Sequence, residues 1–190
     1  DLYARLATSD KNSETKNQAI GAFSLVSSSA IMSLLEHQVQ QTIALSTIYL
    51  ISTLGQTIKH IDLCMLALLH LSDVPGNCLW MMNQNGFLDI LHFVLTEKSF
   101  SLIALEYTVK ILCNLSGERV NLPRLGRTDK TLRTFADLTS LNGANYSIVR
   151  NFSVETLVRL SDEESNLSIM AENKKTAYSL APKLHTIWGS

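Results

Sequence analysis

Residues 112–121 read Leu-Cys-Asn-Leu-Ser-Gly-Glu-Arg-Val-Asn, and two other stretches repeat that outline: Leu-Leu-His-Leu-Ser-Asp-Val-Pro-Gly-Asn at 68–77 and Leu-Val-Arg-Leu-Ser-Asp-Glu-Glu-Ser-Asn at 157–166. Each keeps Leu-x-x-Leu-Ser and places an Asn six residues after the second leucine. Those second leucines, Leu71, Leu115 and Leu160, are 44 and 45 residues apart. Counting back 45 from Leu71 reaches Val26, with Phe23 before it and Ser27 after it, which reads as a degenerate first copy. A period near 45 residues is what stacked helical units produce, each burying its apolar face on its neighbour.

The residues inside one copy support helices. Leu102, Leu105, Val109, Leu112 and Ser116 share one helical face. Polar stretches follow each Leu-Ser, and Gly117 and Pro75–Gly76 are breakers just past the last periodic residue. After Asn77, Leu79 and Met82 give a short helix, and Phe87, Ile90, Leu91 and Val94 a longer one, with Gly86 between them. The chain from 1 to 9 reads as the tail of a helix, and 10–17 as a polar loop. Helices are then expected at 18–28, 30–39, 41–55, 58–72, 77–84, 86–97, 100–116, 120–125, 129–139, 144–160, 166–171 and 174–187, with a turn at 140–145. Asn77, Asn121 and Asn166 fall at the mouth of a following helix, where a side-chain oxygen is expected to accept from orphan N–H groups. The expected fold class is all-α, a right-handed solenoid of about four repeats. No linker divides residues 1–190, so they read as a single domain with one cooperative core.

Composition narrows the classes. The 190 residues are 46% hydrophobic and 17% charged, rich enough in apolar residues to bury a core. A net charge of -1 argues against a uniformly polycationic nucleic-acid binder. Three prolines and eight glycines argue against a sandwich with many tight turns. Cys64, Cys78 and Cys113 lie in apolar runs without CxxC spacing and read as reduced intracellular thiols, nuclear or cytoplasmic. The apolar run 43–55 is shorter than the ~20 residues a membrane span needs. The opening has no apolar signal segment and no initiator Met, and reads as a piece of a longer protein. The histidines show no i, i+4 pairing and no HExxH, and no nucleophile elbow or phosphate loop is present. No enzyme, cofactor or metal is expected.

The segment LALLHLSDVPGNCLWMMNQNGFLDILHFVL resembles an armadillo repeat junction, and ALEYTVKILCNLSGERVN is similar to an armadillo third helix. The resemblance to the armadillo/HEAT-like superfamily covers about residues 15–188. More narrowly, VETLVRLSDEESNLSIMAENKKTAYSLAPKL is similar to the closing armadillo repeat of the ARID-bearing subunits of SWI/SNF-type chromatin remodellers. Those subunits use the armadillo domain as a core that organises other subunits.

In peptide-binding armadillo proteins a ladder of third-helix Asn residues clamps an extended peptide, with Trp residues one turn earlier. The Asn slot here holds His70, Asn114 and Arg159, and the Trp slot Leu66, Lys110 and Glu155. Only Asn114 matches, which argues against a nuclear-localisation-signal site. Trp80 and Trp188 lie on apolar runs and read as core or cap residues. His70, Lys110, Asn114, Arg150 and Arg159 are the candidates for a polar partner groove. A second candidate is a basic patch of Arg119, Arg124, Arg127, Lys130 and Arg133, opposed only by Asp129. Asp162-Glu163-Glu164 precedes a helix N-terminus, where acids favour the dipole.

The expected function is a non-enzymatic scaffold that binds protein partners, as complex subunits or an extended peptide. A core subunit of a nuclear remodelling complex leads; a cytoplasmic adaptor holding an extended peptide follows. Nucleic acid on the basic patch is the less favoured alternative, and no membrane is implied.

Overall fold

Each of the three leucine-serine-asparagine junctions closes with the same hydrogen bonds. The side-chain amide of Asn77 donates to the Leu71 carbonyl at 3.0 Å, that of Asn121 to Leu115 at 3.0 Å, and that of Asn166 to Leu160 at 3.1 Å. The same carbonyls accept the N–H three residues on, from Val74, Glu118 and Glu163. The Asn N–H groups return to the carbonyls of those three residues at 3.2, 2.9 and 2.9 Å. The serines, Ser72, Ser116 and Ser161, each donate to the carbonyl three residues earlier. One local geometry is thus built three times from one residue pattern.

The computed structural model describes residues 35–54, 58–74, 76–127 and 129–172. Among them are nine α-helices and no strand: α1 His37–Leu54, α2 Ile58–Ser72, α3 Asn77–Met82, α4 Phe87–Thr96, α5 Leu102–Ser116, α6 Leu122–Gly126, α7 Asp129–Thr139, α8 Ser147–Ser161 and α9 Glu164–Glu172. Single 3-10 turns at Arg119–Asn121 and Ala144–Tyr146 lead into α6 and α8. No described helix is long and apolar enough to cross a membrane. The expected helices at 18–28 and 174–187, the copy around Val26, and Trp188 lie outside the described residues.

Several expected boundaries move for identifiable reasons. The break expected near residue 40 is absent, because α1 runs unbroken from His37. No Gly or Pro interrupts this stretch, and Gln40 reaches back to the Leu35 carbonyl at 3.0 Å. The helix expected at 120–125 is a 3-10 turn followed by α6, with Pro123 in its first turn, where no N–H is needed. The expected face of α5 is buried at Val109, Leu112 and Ser116 but not at its start. Leu102 and Leu105 are only half-buried, and a second buried line runs beside it through Ala104, Thr108, Ile111 and Leu115. The same spacing holds Val149, Ser153, Thr156 and Leu160 in α8, and Cys64, Ala67 and Leu71 in α2.

The chain divides into two compact units, Asp1–Ile111 and Leu112–Ser190, with the division inside α5. In the first, α2 packs on α1 and α3, and α4 on α1 and α3. Its core includes Met65, Leu68, Leu71, Met81, Phe87 and Leu91. Ser101 caps α5 by accepting the Ala104 N–H at 3.0 Å, and its hydroxyl donates to the Asp62 carboxylate on α2. Gly86, at φ 77°, supplies the left-handed step between α3 and α4 expected of it.

In the second unit α8 packs on α7, α6 and α9. Leu132, Phe135 and Ala136 of α7 and Val149, Leu157 and Leu160 of α8 are buried. Asn166 presses on Gly126 so closely that an added Cβ would lie 2.2 Å from its side chain. Hydrogen-bonded to both Leu160 and Leu122, that amide has no room to yield.

Leu115 is fully buried at the junction of α5. Leu115→Ala is expected to lower the unfolding free energy by about 2–5 kcal/mol, read from urea denaturation. A loss under about 1 kcal/mol would show that the site does not form part of a packed core.

Candidate interaction site

The junction asparagines are not helix N-caps, as the sequence suggested. The residue before α3 is Gly76, which has no side chain, and the Asn121 side chain makes no capping bond to α6. Both amides point backwards and donate to the preceding helix. The physical cause is the end of that helix: its last carbonyls have no intrahelical donor, and here they are buried. An Asn NH2 supplies what a backbone turn alone leaves short. Asn77 and Asn166 use the same nitrogen again, on Gln40 at 2.8 Å and on the Leu122 carbonyl at 3.0 Å.

This geometry separates Asn from Asp. An N-cap would accept Asp as well as Asn. Asn121→Asp instead loses the donor and sets a carboxylate against the Leu115 carbonyl. We expect a loss of about 1–3 kcal/mol at pH 7 in chemical denaturation. The carboxyl's folded-state pKa is raised by that contact, so the loss is full above it and shrinks as pH falls toward the unfolded value of about 3.9. An unchanged midpoint at pH 7 would contradict the back-donating geometry.

The residues just before each junction leucine are His70, Asn114 and Arg159, and all three are half-buried. Lys110, one turn before Asn114 on α5, is also half-buried. Arg159 does not stand free. Its Nη1 donates to the Cys113 carbonyl at 2.6 Å, and its Nη2 pairs with Glu155 at 2.6 Å. The guanidinium therefore covers the carbonyl end of α5, where a cation also meets the helix dipole. The Glu155 pair is exposed and adds little to stability by itself. Arg150 is spent similarly, donating to the carbonyls of Leu141 at 2.9 Å and Gly143 at 2.7 Å. It holds the expected turn, where Gly143 has φ 106°. The turn residues Ala144–Tyr146 then lead into α8.

The basic patch belongs to the second unit. Arg119, Arg124, Arg127 and Arg133 are exposed there, while the Lys130 side chain lies outside the described residues. The acids at 162–164 lie where expected: α9 begins at Glu164, and Glu163 accepts from the Ser165 hydroxyl at 2.9 Å.

All three cysteines are free thiols and buried. Burial pushes the Cys64 thiol up to about 12. Burial also raises Cys113; Arg159 pulls it down, Glu155 pushes it up, and a Thr156 hydrogen bond lowers it, the balance remaining upward. The Cys78 thiol donates to the Ser72 carbonyl. Since the thiolate is the nucleophile, Cys64 should react with iodoacetamide at pH 8 at least about a hundredfold slower in the native chain than in denaturant. Equal rates in the two conditions would place Cys64 outside the core.

Among the described residues no group of three or more His, Cys, Asp or Glu side chains is placed to hold a metal ion. Comparisons with family models, curated proteins and solved structures give no match to this chain.

Sequence reasoning missed Gln40 and Gly126. Gln40 carries no periodic signal. Gly126 lies five residues after Asn121 but is matched by no glycine at that offset from Asn77 or Asn166. The small residues Cys64, Thr108 and Ser153 were findable, since each stands seven residues before a junction leucine.

Proposed function

We propose that the chain is an armadillo/HEAT-like α-solenoid that serves as a non-enzymatic protein–protein interaction scaffold. The observation that carries this reading is the threefold junction: the same leucine carbonyl, serine hydroxyl and asparagine amide make the same bonds in each copy. A hydrogen-bonding pattern that recurs at spacings of 44 and 45 residues is a product of repeated architecture, not of one reaction centre. The protonated, buried thiols fit a scaffold as well, since they are small core residues with no nucleophilic readiness.

In this reading the partner-binding side chains are Lys110 and Asn114, one turn apart on α5, and His70 holds the matching place of the repeat in α2. Arg150 and Arg159 serve the second unit itself, fixing the turn before α8 and the end of α5. The cellular role we assign is that of a core subunit organising a nuclear chromatin-remodelling complex. An adaptor holding an extended peptide is the second reading, favoured by Asn114, which occupies the slot of a backbone-clamping asparagine.

Affinity capture from nuclear extract tests the assignment. The chain is expected to recover remodeller subunits in fixed proportions. The double variant K110E/N114R should recover them at least about tenfold less, while keeping the helical circular-dichroism spectrum of the folded chain. Recovery of no such subunits would end the chromatin assignment. Equal recovery by the double variant would move the partner surface away from α5.

A further inference from the structure

The described arginines of the second unit are not equivalent. Arg150 and Arg159 are held by backbone carbonyls. Arg119 and Arg127 are exposed and make no hydrogen bond or ion pair among the described residues. Between them in the chain stands Val120, which is 78% exposed and the most open of the large apolar side chains described. Its position follows from its neighbour. Asn121 is locked inward by its amide bond to Leu115 and its N–H bond to Glu118, and the 3-10 turn then presents Val120 to solvent. Nothing in the local fold uses that isopropyl group. Arg124 and Arg133 are exposed on the same segment. Residues 119–133 hold five basic residues and one acid, Asp129, a local charge of 5 − 1 = +4.

An exposed apolar side chain on a segment that also exposes unpaired guanidinium groups is complementary to one kind of partner. Arginine forks match carboxylates, and an exposed valine rewards an apolar group laid upon it. We propose that Arg119, Val120 and Arg127 form a docking surface for an acidic peptide segment with an apolar anchor, Val120 meeting the anchor and Arg119 and Arg127 its carboxylates. The inference rests on the scaffold reading and gives one partner's chemistry, but it uses none of the partner-binding side chains of α5. Nucleic acid fits less well. Single strands need exposed rings to stack on, and the only ring of the segment, Phe135 just beyond it, is fully buried. A phosphate backbone offers no apolar group to match Val120.

The probe is a fluorescent peptide of about 15 residues in which Glu and Asp alternate with Leu and Phe, its binding followed by anisotropy. Oligoglutamate of equal charge and random duplex DNA are the comparisons. The chain should bind the peptide, and R119E/R127E should weaken that binding about tenfold or more. V120S should weaken binding of the peptide and leave oligoglutamate unaffected. Both variants should keep the wild-type melting temperature, because none of these side chains is buried. The proposal is overturned if the wild-type chain ignores the peptide, or if the variants bind it as well as the wild type does. It is also overturned if duplex DNA binds more tightly, with a steep salt slope and the same loss in R119E/R127E, which assigns the patch to nucleic acid. A chain that binds the peptide through these residues but fails the extract capture keeps this surface and loses the chromatin assignment.

Discussion

A helix that ends inside a protein leaves carbonyl oxygens that neither the helix nor water can satisfy, and this chain answers that constraint in one way at three places. The carbonyls of Leu71, Leu115 and Leu160 each take one donor from the turn and one from an asparagine amide six residues on. Each bond contributes about 1 kcal/mol net, but an unmet buried carbonyl would cost more than that. The turn must therefore keep its length, and the asparagine must keep its donor. The direction of the next helix follows, because the asparagine that reaches back sits at or near that helix's start. In the last copy the requirement extends further: the amide of Asn166 also holds Leu122 and leaves Gly126 no room for a side chain.

The same need for donors governs the charged residues. Arg159 and Arg150 look in the sequence like cations available to a partner. Each is drawn instead to backbone carbonyls, Arg159 to that of Cys113 at the end of α5 and Arg150 to two at the turn around Gly143. A guanidinium carries several donors in a rigid fork, so one arginine can close an irregular turn that no backbone N–H reaches. Arg119 and Arg127 reach no such carbonyl among the described residues and are left at the surface. Charge available for recognition is what remains after the fold has taken its share.

The buried lines of α2, α5 and α8 carry small or β-branched residues at matching places. Cys64, Thr108 and Ser153 stand seven residues before their junction leucines, and all are buried. The Thr108 hydroxyl returns to the Ala104 carbonyl at 2.7 Å, which lets a polar side chain occupy a core position. The Ser153 hydroxyl has no hydrogen-bond partner among the described residues, a small local cost in the packing of α8. Cys64 fills the same slot without that cost, and its burial leaves the thiol protonated and inert.

By itself the sequence determined the class of structure and its punctuation. The helices at 58–72 and 129–139 are bounded as their periodicity and flanking residues imply, and the three junctions lie where Leu-Ser and Asn recur. Those signals are local: apolar spacing, left-handed glycines and polar turns act within a few residues of themselves. Tertiary structure decided the rest. An asparagine at a helix mouth has both a donor and an acceptor, and only the burial of the preceding carbonyl chooses between them. Half-buried Leu102 and Leu105 and fully buried Ala104 and Thr108 lie on overlapping faces of α5, and only packing selects the face. Whether an arginine serves the fold or meets a partner depends on which carbonyls the folded chain brings within reach, and that distance is not written in the order of residues.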